Sequence, residues 1–80
     1  MLTILRVCGY RFYFFAEEGN EPPHVHVDKG LGTLKLWLSA LSIAYQEGLK
    51  PAEIRAILEI ARENHQLLLD TWLEFDLRKN

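Results

Sequence analysis

The stretch His24-Val25-His26-Val27-Asp28-Lys29-Gly30-Leu31-Gly32-Thr33-Leu34-Lys35-Leu36-Trp37-Leu38 decides the fold. Apolar and polar residues alternate in steps of two on either side of Lys29-Gly30-Leu31-Gly32, the pattern of two half-buried strands joined by a glycine-containing turn. The spacing predicts strands over His24–Asp28 and Thr33–Leu38. The same alternation, rich in β-branched and aromatic residues, recurs upstream at Thr3–Val7 and Tyr10–Ala16. Gly9 marks one turn there, and the loop Glu17-Glu18-Gly19-Asn20-Glu21-Pro22-Pro23 supplies the next. Downstream, Leu41, Ile43 and Tyr45 alternate as a fifth strand, although Ala44 and Gln46 also suit a helical turn.

Beyond Gly48 the period changes. Pro51 fits a first helical turn, where its missing N–H costs nothing, and Glu53 complements the helix dipole. Ile54, Ile57, Leu58, Ala61, His65, Leu68, Trp72 and Phe75 then recur at three and four, one apolar stripe of an amphipathic helix. A single helix from Pro51 to Leu77 would be about 40 Å long, so a break near Asn64-His65 is expected. The resulting fold class is α+β. One domain spans residues 1–80, with a four- or five-stranded antiparallel meander over 1–46 packed on a long, kinked C-terminal helical region over 50–78.

Eighty residues, 49% hydrophobic and 25% charged, give ordinary globular composition and room for one core. Nine basic residues against eleven acidic ones leave a net charge of −2, which lends no support to RNA as a general partner. The lone Cys8 cannot form an internal disulfide, and the expected compartment is the cytoplasm. No apolar run approaches a signal-peptide core or a membrane span, so no membrane partner is expected.

Strand alternation sorts the side chains. Leu5, Val7, Phe12, Phe14, Val25, Val27, Leu34, Leu36 and Leu38 share the face that meets the helical stripe. Arg6, Arg11, Tyr13, Phe15, His24, His26, Lys35 and Trp37 share the other. A sheet face combining aromatics with cations reads as an interface, including one for self-association, as a ligand or catalytic surface, or as a solvated face.

His24 and His26 are two positions apart on one strand, about 7 Å along the chain. Two surface histidines paired with carboxylates are the plainer reading. A metal site needs further ligands, and Glu18, Glu21, Asp28 and Cys8 lack a metal-site spacing, so neither metal nor other cofactor is expected. The third reading is metal-free acid/base chemistry, with His24, His26, Arg11 and Lys35 as the catalytic set and Arg6, Tyr13 and Trp37 as binding residues. His65, Trp72 and Phe75 are expected in the core, and Cys8 as a bystander.

Ile4-Leu5-Arg6, Gly9-Tyr10-Arg11-Phe12, Glu21-Pro22-Pro23-His24-Val25-His26-Val27 and Lys35-Leu36-Trp37-Leu38 resemble the small bacterial proteins grouped as domain of unknown function 4160. The resemblance continues through Leu41–Gly48, Glu53-Ile54 and the Asn64, Leu68 and Trp72 region. It carries no established activity. It does imply a genetic neighbour of the domain of unknown function 2442 type, and with it a toxin–antitoxin pair. Under that resemblance the chain is expected to be an interaction module, with a metal-independent ribonuclease-type toxin as the alternative and a homo-oligomer as a further expectation. Arg11, His24, His26, Lys35 and Trp37 match the family pattern.

Overall fold

A computed structural model describes residues 2–15 and 20–79. Five antiparallel strands follow one another across a single sheet: β1 (Leu2–Val7), β2 (Tyr10–Phe14), β3 (His24–Lys29), β4 (Gly32–Trp37) and β5 (Ser42–Glu47). Two helices complete the chain, α1 (Pro51–Glu63) and α2 (His65–Lys79). The second strand ends at Phe14, so the expected extension does not include Phe15; Ala16 and the loop residues Glu17, Glu18 and Gly19 lie outside the described residues.

The turn between β1 and β2 is built on Cys8 and Gly9, whose φ angles of 51° and 85° are the left-handed pair that a two-residue type I′ hairpin requires. Fixing Val7 opposite Tyr10 sets the register outward from that turn: Arg6 faces Arg11 and Leu5 faces Phe12. The register shifts between Thr3 and Leu5, leaving Ile4 as the extra residue. Between β3 and β4 the pairing is regular from Lys29 opposite Gly32 to His24 opposite Trp37. It is prolonged by a hydrogen bond of 2.9 Å from Leu38 N–H to the Pro23 carbonyl.

The fifth strand begins one residue later than the alternation predicts. Leu41 lies in the preceding turn with φ 53°, while its side chain packs against the core. A second register shift then places Leu36 opposite Ile43 but Lys35 opposite Tyr45, with Ala44 as the extra residue. Ile43 and Tyr45 therefore fall on opposite faces, which a strict period of two does not allow.

Phe12, Phe14, Val25, Val27, Leu34, Leu36 and Leu38 are fully buried, together with Ile57, Ala61 and Leu68 from the helices. Tyr10 and Ile60 belong to the same cluster although neither stood out in the sequence. Burial of a side chain of this size contributes about 1.5–3 kcal/mol, so this one contiguous cluster outweighs any surface contact in holding the helices to the sheet.

The helical region starts at Lys50, whose N–H donates to the Glu53 carboxylate at 2.8 Å, and Pro51 occupies the first turn. It breaks at Asn64 (φ −116°, ψ 22°), in the expected place. The Asn64 side-chain amide donates to the Ile60 carbonyl at 2.8 Å, and its own carbonyl accepts from Leu68 N–H at 2.9 Å. The chain thus re-enters a helix at once, at His65. His65 marks this joint by donating through Nε2 to the Leu38 carbonyl, which ties α2 to the end of β4. Trp72 packs edge-on to Phe14 at 5.2 Å between ring centroids, with Phe75 at 5.3 Å from the same ring. Among the described residues no helix is long and apolar enough to cross a membrane.

Candidate functional site

Cross-strand pairing arranges the outer face of the sheet in rows. One row runs Arg6, Arg11, Asp28, Thr33, Glu47 from β1 to β5. The next runs Thr3, Tyr13, His26, Lys35, Tyr45, and the third holds His24, Trp37 and Ser42. All of Arg6, Arg11, Tyr13, His24, His26, Lys35 and Trp37 therefore share the face that alternation assigned to them.

Tyr13 and His26 stack with centroids 5.5 Å apart and planes 21° from parallel. Phe15 closes edge-on against both, at 4.7 Å from His26 and 5.3 Å from Tyr13. Tyr13 is consequently almost fully buried despite its outward position. Its hydroxyl donates to Asp28 at 3.0 Å, while the Arg11 guanidinium lies 4.5 Å above its ring. Burial first, and then the hydrogen bond to the Asp28 carboxylate, raise the Tyr13 phenol above its ordinary value of 10.0. Arg11 Nε also donates to Thr3 Oγ1 at 3.1 Å, so this cation is positioned from two sides.

At the other end of the face Lys35 is bonded to Glu21 and lies 4.8 Å from the centroid of the Trp37 ring. Glu21 Oε1 is also 3.9 Å from His24 Nδ1. Tyr45, exposed on β5, bonds to Glu47, and that bond raises its phenol from the ordinary value of 10.0.

His24 departs from the expectation of a surface residue. It is 1% exposed, because Trp72 reaches it from α2 at 5.1 Å while Trp37 and His26 lie at 5.7 and 5.3 Å. Its Nδ1–H donates to the Pro22 carbonyl at 2.9 Å, which fixes the ring and leaves the lone pair of the neutral form on Nε2. The apolar stripe of the helix gave no sign of this contact, since Trp72 satisfies the helical period and also reaches around the end of β3. His26 is half-buried.

The proposed catalytic set is thus divided. His24, His26 and Lys35 are neighbours, whereas Arg11 belongs to the row nearer the β1–β2 hairpin and is held by Thr3 and Tyr13. Among the described residues no three His, Cys, Asp or Glu side chains gather as a metal site. Cys8 is exposed in its hairpin, away from both histidines in the pairing register.

Sequence reasoning missed Tyr45 as a member of this face. Its signal was hidden by the extra residue at Ala44, because a simple alternation places Tyr45 with Ile43.

An antiparallel five-stranded meander backed by two C-terminal helices, with an aromatic and cationic outer face, defines a small α+β domain. The chain belongs to the family described as Domain of unknown function (DUF4160), whose model matches residues 9–73 and so includes the histidine strand, β4 and most of the helical region. No curated protein and no solved structure matches it.

Proposed function

We propose that this chain is a protein-interaction module that engages a small partner protein through the outer face of its sheet, in a two-gene system of the toxin–antitoxin kind. The observation that supports this reading is the mixture of groups open there: Phe15 and Tyr45 are exposed, Trp37 is partly exposed, and cations lie beside the aromatic rings. Aromatic residues and arginine are enriched at protein interfaces because each brings a large apolar surface together with a directed polar contact. Among the described residues the helices pack their apolar stripe against the opposite face, apart from Trp72, which closes over His24. The two-gene setting rests on the family resemblance, and a partner of the domain of unknown function 2442 type is the first to test.

The alternative, metal-independent RNA cleavage, asks for mobile acid/base and cationic groups in reach of a scissile phosphate. Lys35 is instead bonded to Glu21, and His24 is enclosed by Trp37 and Trp72. These contacts favour a recognition surface.

Co-expression with the product of the adjacent gene tests the proposal. Co-purification is expected, with amide exchange slowed on β3, β4 and β5. Protection confined to the helices would transfer the interface away from the sheet.

A further inference from the structure

β5 is the last strand of the sheet, and every residue of Ser42-Ile43-Ala44-Tyr45-Gln46-Glu47 is exposed. One edge of it pairs with β4, and among the described residues nothing pairs with the other. Alternate N–H and C=O groups along that free edge point outward, a row ready to accept another strand. Native edges are usually blunted by lysine, proline or an inward-pointing charge. β5 has no lysine, arginine or proline, and its one charge, Glu47, stands at the very end. Ile43 and Tyr45 leave 41% and 51% of their surfaces in solvent.

The extra residue at Ala44 gives this strand a symmetry. Ser42 and Glu47 stand opposite Trp37 and Thr33, an even number of residues apart on the regular β4, so both lie on the outer face. Ile43 and Gln46 stand opposite Leu36 and Leu34, again an even number apart, so both lie on the inner face. The members of each couple also turn their backbone groups toward the same edge. Read in either direction, the strand runs outer, inner, two central residues, inner, outer. A regular strand of this length lacks the property: laid antiparallel on a full-length copy of itself, it would set every outer residue against an inner one. A bulge ordinarily blunts an edge, but at the centre of β5 it makes the edge self-complementary.

We infer that β5 pairs antiparallel with β5 of a second copy of this chain, about a two-fold axis between Ala44 and Tyr45, and joins the two sheets into one. Ser42 then meets Glu47 of the second copy, Ile43 meets Gln46 and Ala44 meets Tyr45, each pair occurring twice by symmetry. The one charge on each strand faces a serine and not a like charge. Pairing gives the outward backbone groups their partners and covers Ile43 and Tyr45. β1, at the other edge, has the same symmetry, with Leu2 and Val7 inward and Thr3 and Arg6 outward. It carries the cation Arg6, however, which blunts an edge, and Ile4, Leu5 and Val7 already pack against the core. The inference needs no other protein and does not depend on the partner-binding reading.

The test is sedimentation of the full chain alone over a concentration series, with intermolecular contacts measured by NMR in a mixture of isotopically labelled and unlabelled chains. A reversible monomer–dimer equilibrium is expected, with contacts between Ile43 of one copy and Gln46 of the other. Ser42→Glu sets like charges opposite each other twice and is expected to weaken the dimer about fivefold, whereas Ser42→Lys should strengthen it by a similar factor. Ser42 is exposed, so both variants keep the core. A chain that stays monomeric up to about 1 mM would overturn the assignment. So would intermolecular contacts at β1 or around Trp37 in place of β5, or a dimer indifferent to both changes at Ser42.

Discussion

The two faces of this sheet use the same strands for opposite purposes. On the inner face Phe12, Val25, Leu34 and their neighbours vanish completely beneath Ile57, Ala61 and Leu68, and the interaction is area alone. On the outer face the rings are held by directed contacts: Tyr13 on Asp28, Arg11 over Tyr13, Lys35 between Glu21 and Trp37. Surface ion pairs and cation–π contacts contribute about 1 kcal/mol or less each, so the outer arrangement adds little to folding beside the core. Order without much stability, on a face where Phe15 and Tyr45 are exposed, is what the proposed interaction would require.

Substitutions on the two faces should therefore separate cleanly. The largest effect is expected for Phe12→Ala, which empties a site with no exposure and should cost about 3–5 kcal/mol by urea unfolding. In a domain whose whole stability is of the order of 5 kcal/mol that is close to unfolding, and Phe12→Leu should recover most of it.

Gly32→Ala comes next. A Cβ there would stand 2.5 Å from Leu49 Cδ2 and 2.7 Å from the Gly48 carbonyl oxygen, so the link from β5 to α1 must move. A loss of about 1–3 kcal/mol is expected, with no change in any outer-face contact.

The histidines sharpen the comparison because they share a strand and differ in burial. His24→Ala should cost about 2 kcal/mol, from the lost bond to Pro22 and the space opened against Trp72. His26→Ala should cost clearly less. Equal losses in denaturant unfolding would erase the distinction between them.

Tyr13→Phe should have the smallest effect on folding, about 1 kcal/mol at neutral pH, from the bond to Asp28. Because the folded state raises the Tyr13 pKa, it favours the protonated phenol. Its contribution is therefore complete below the ordinary value of 10.0 and lost as the pH rises through the folded value. The parent's advantage over Tyr13→Phe should shrink in alkaline unfolding curves and remain constant between pH 6 and 8.

Much of this was legible in the residues. The alternation of Val25, Val27, Leu34, Leu36 and Leu38 against His24, His26, Lys35 and Trp37 assigned both faces, because the two-residue turns kept the register from slipping. The helix break at Asn64 was legible too, since an unbroken helix would overrun so small a core. What remained hidden was non-periodic. The extra residue at Ala44 turned Tyr45 outward, and the left-handed backbone of Leu41 delayed β5. Trp72, regular within its helix, closed over His24 from a distant part of the chain and made a surface histidine a buried one. No local pattern records contacts of that kind.

The most direct test of the outer face as a binding surface is the affinity of Trp37→Ala for the adjacent gene product, measured by calorimetry beside its melting curve. Trp37 joins Lys35 and His24 on the face and buries little in the core. The expected result is a melting temperature within a few degrees of the parent and an affinity at least tenfold weaker, as for an aromatic anchor of an interface. A variant that melts like the parent and binds its partner with unchanged affinity would contradict the account.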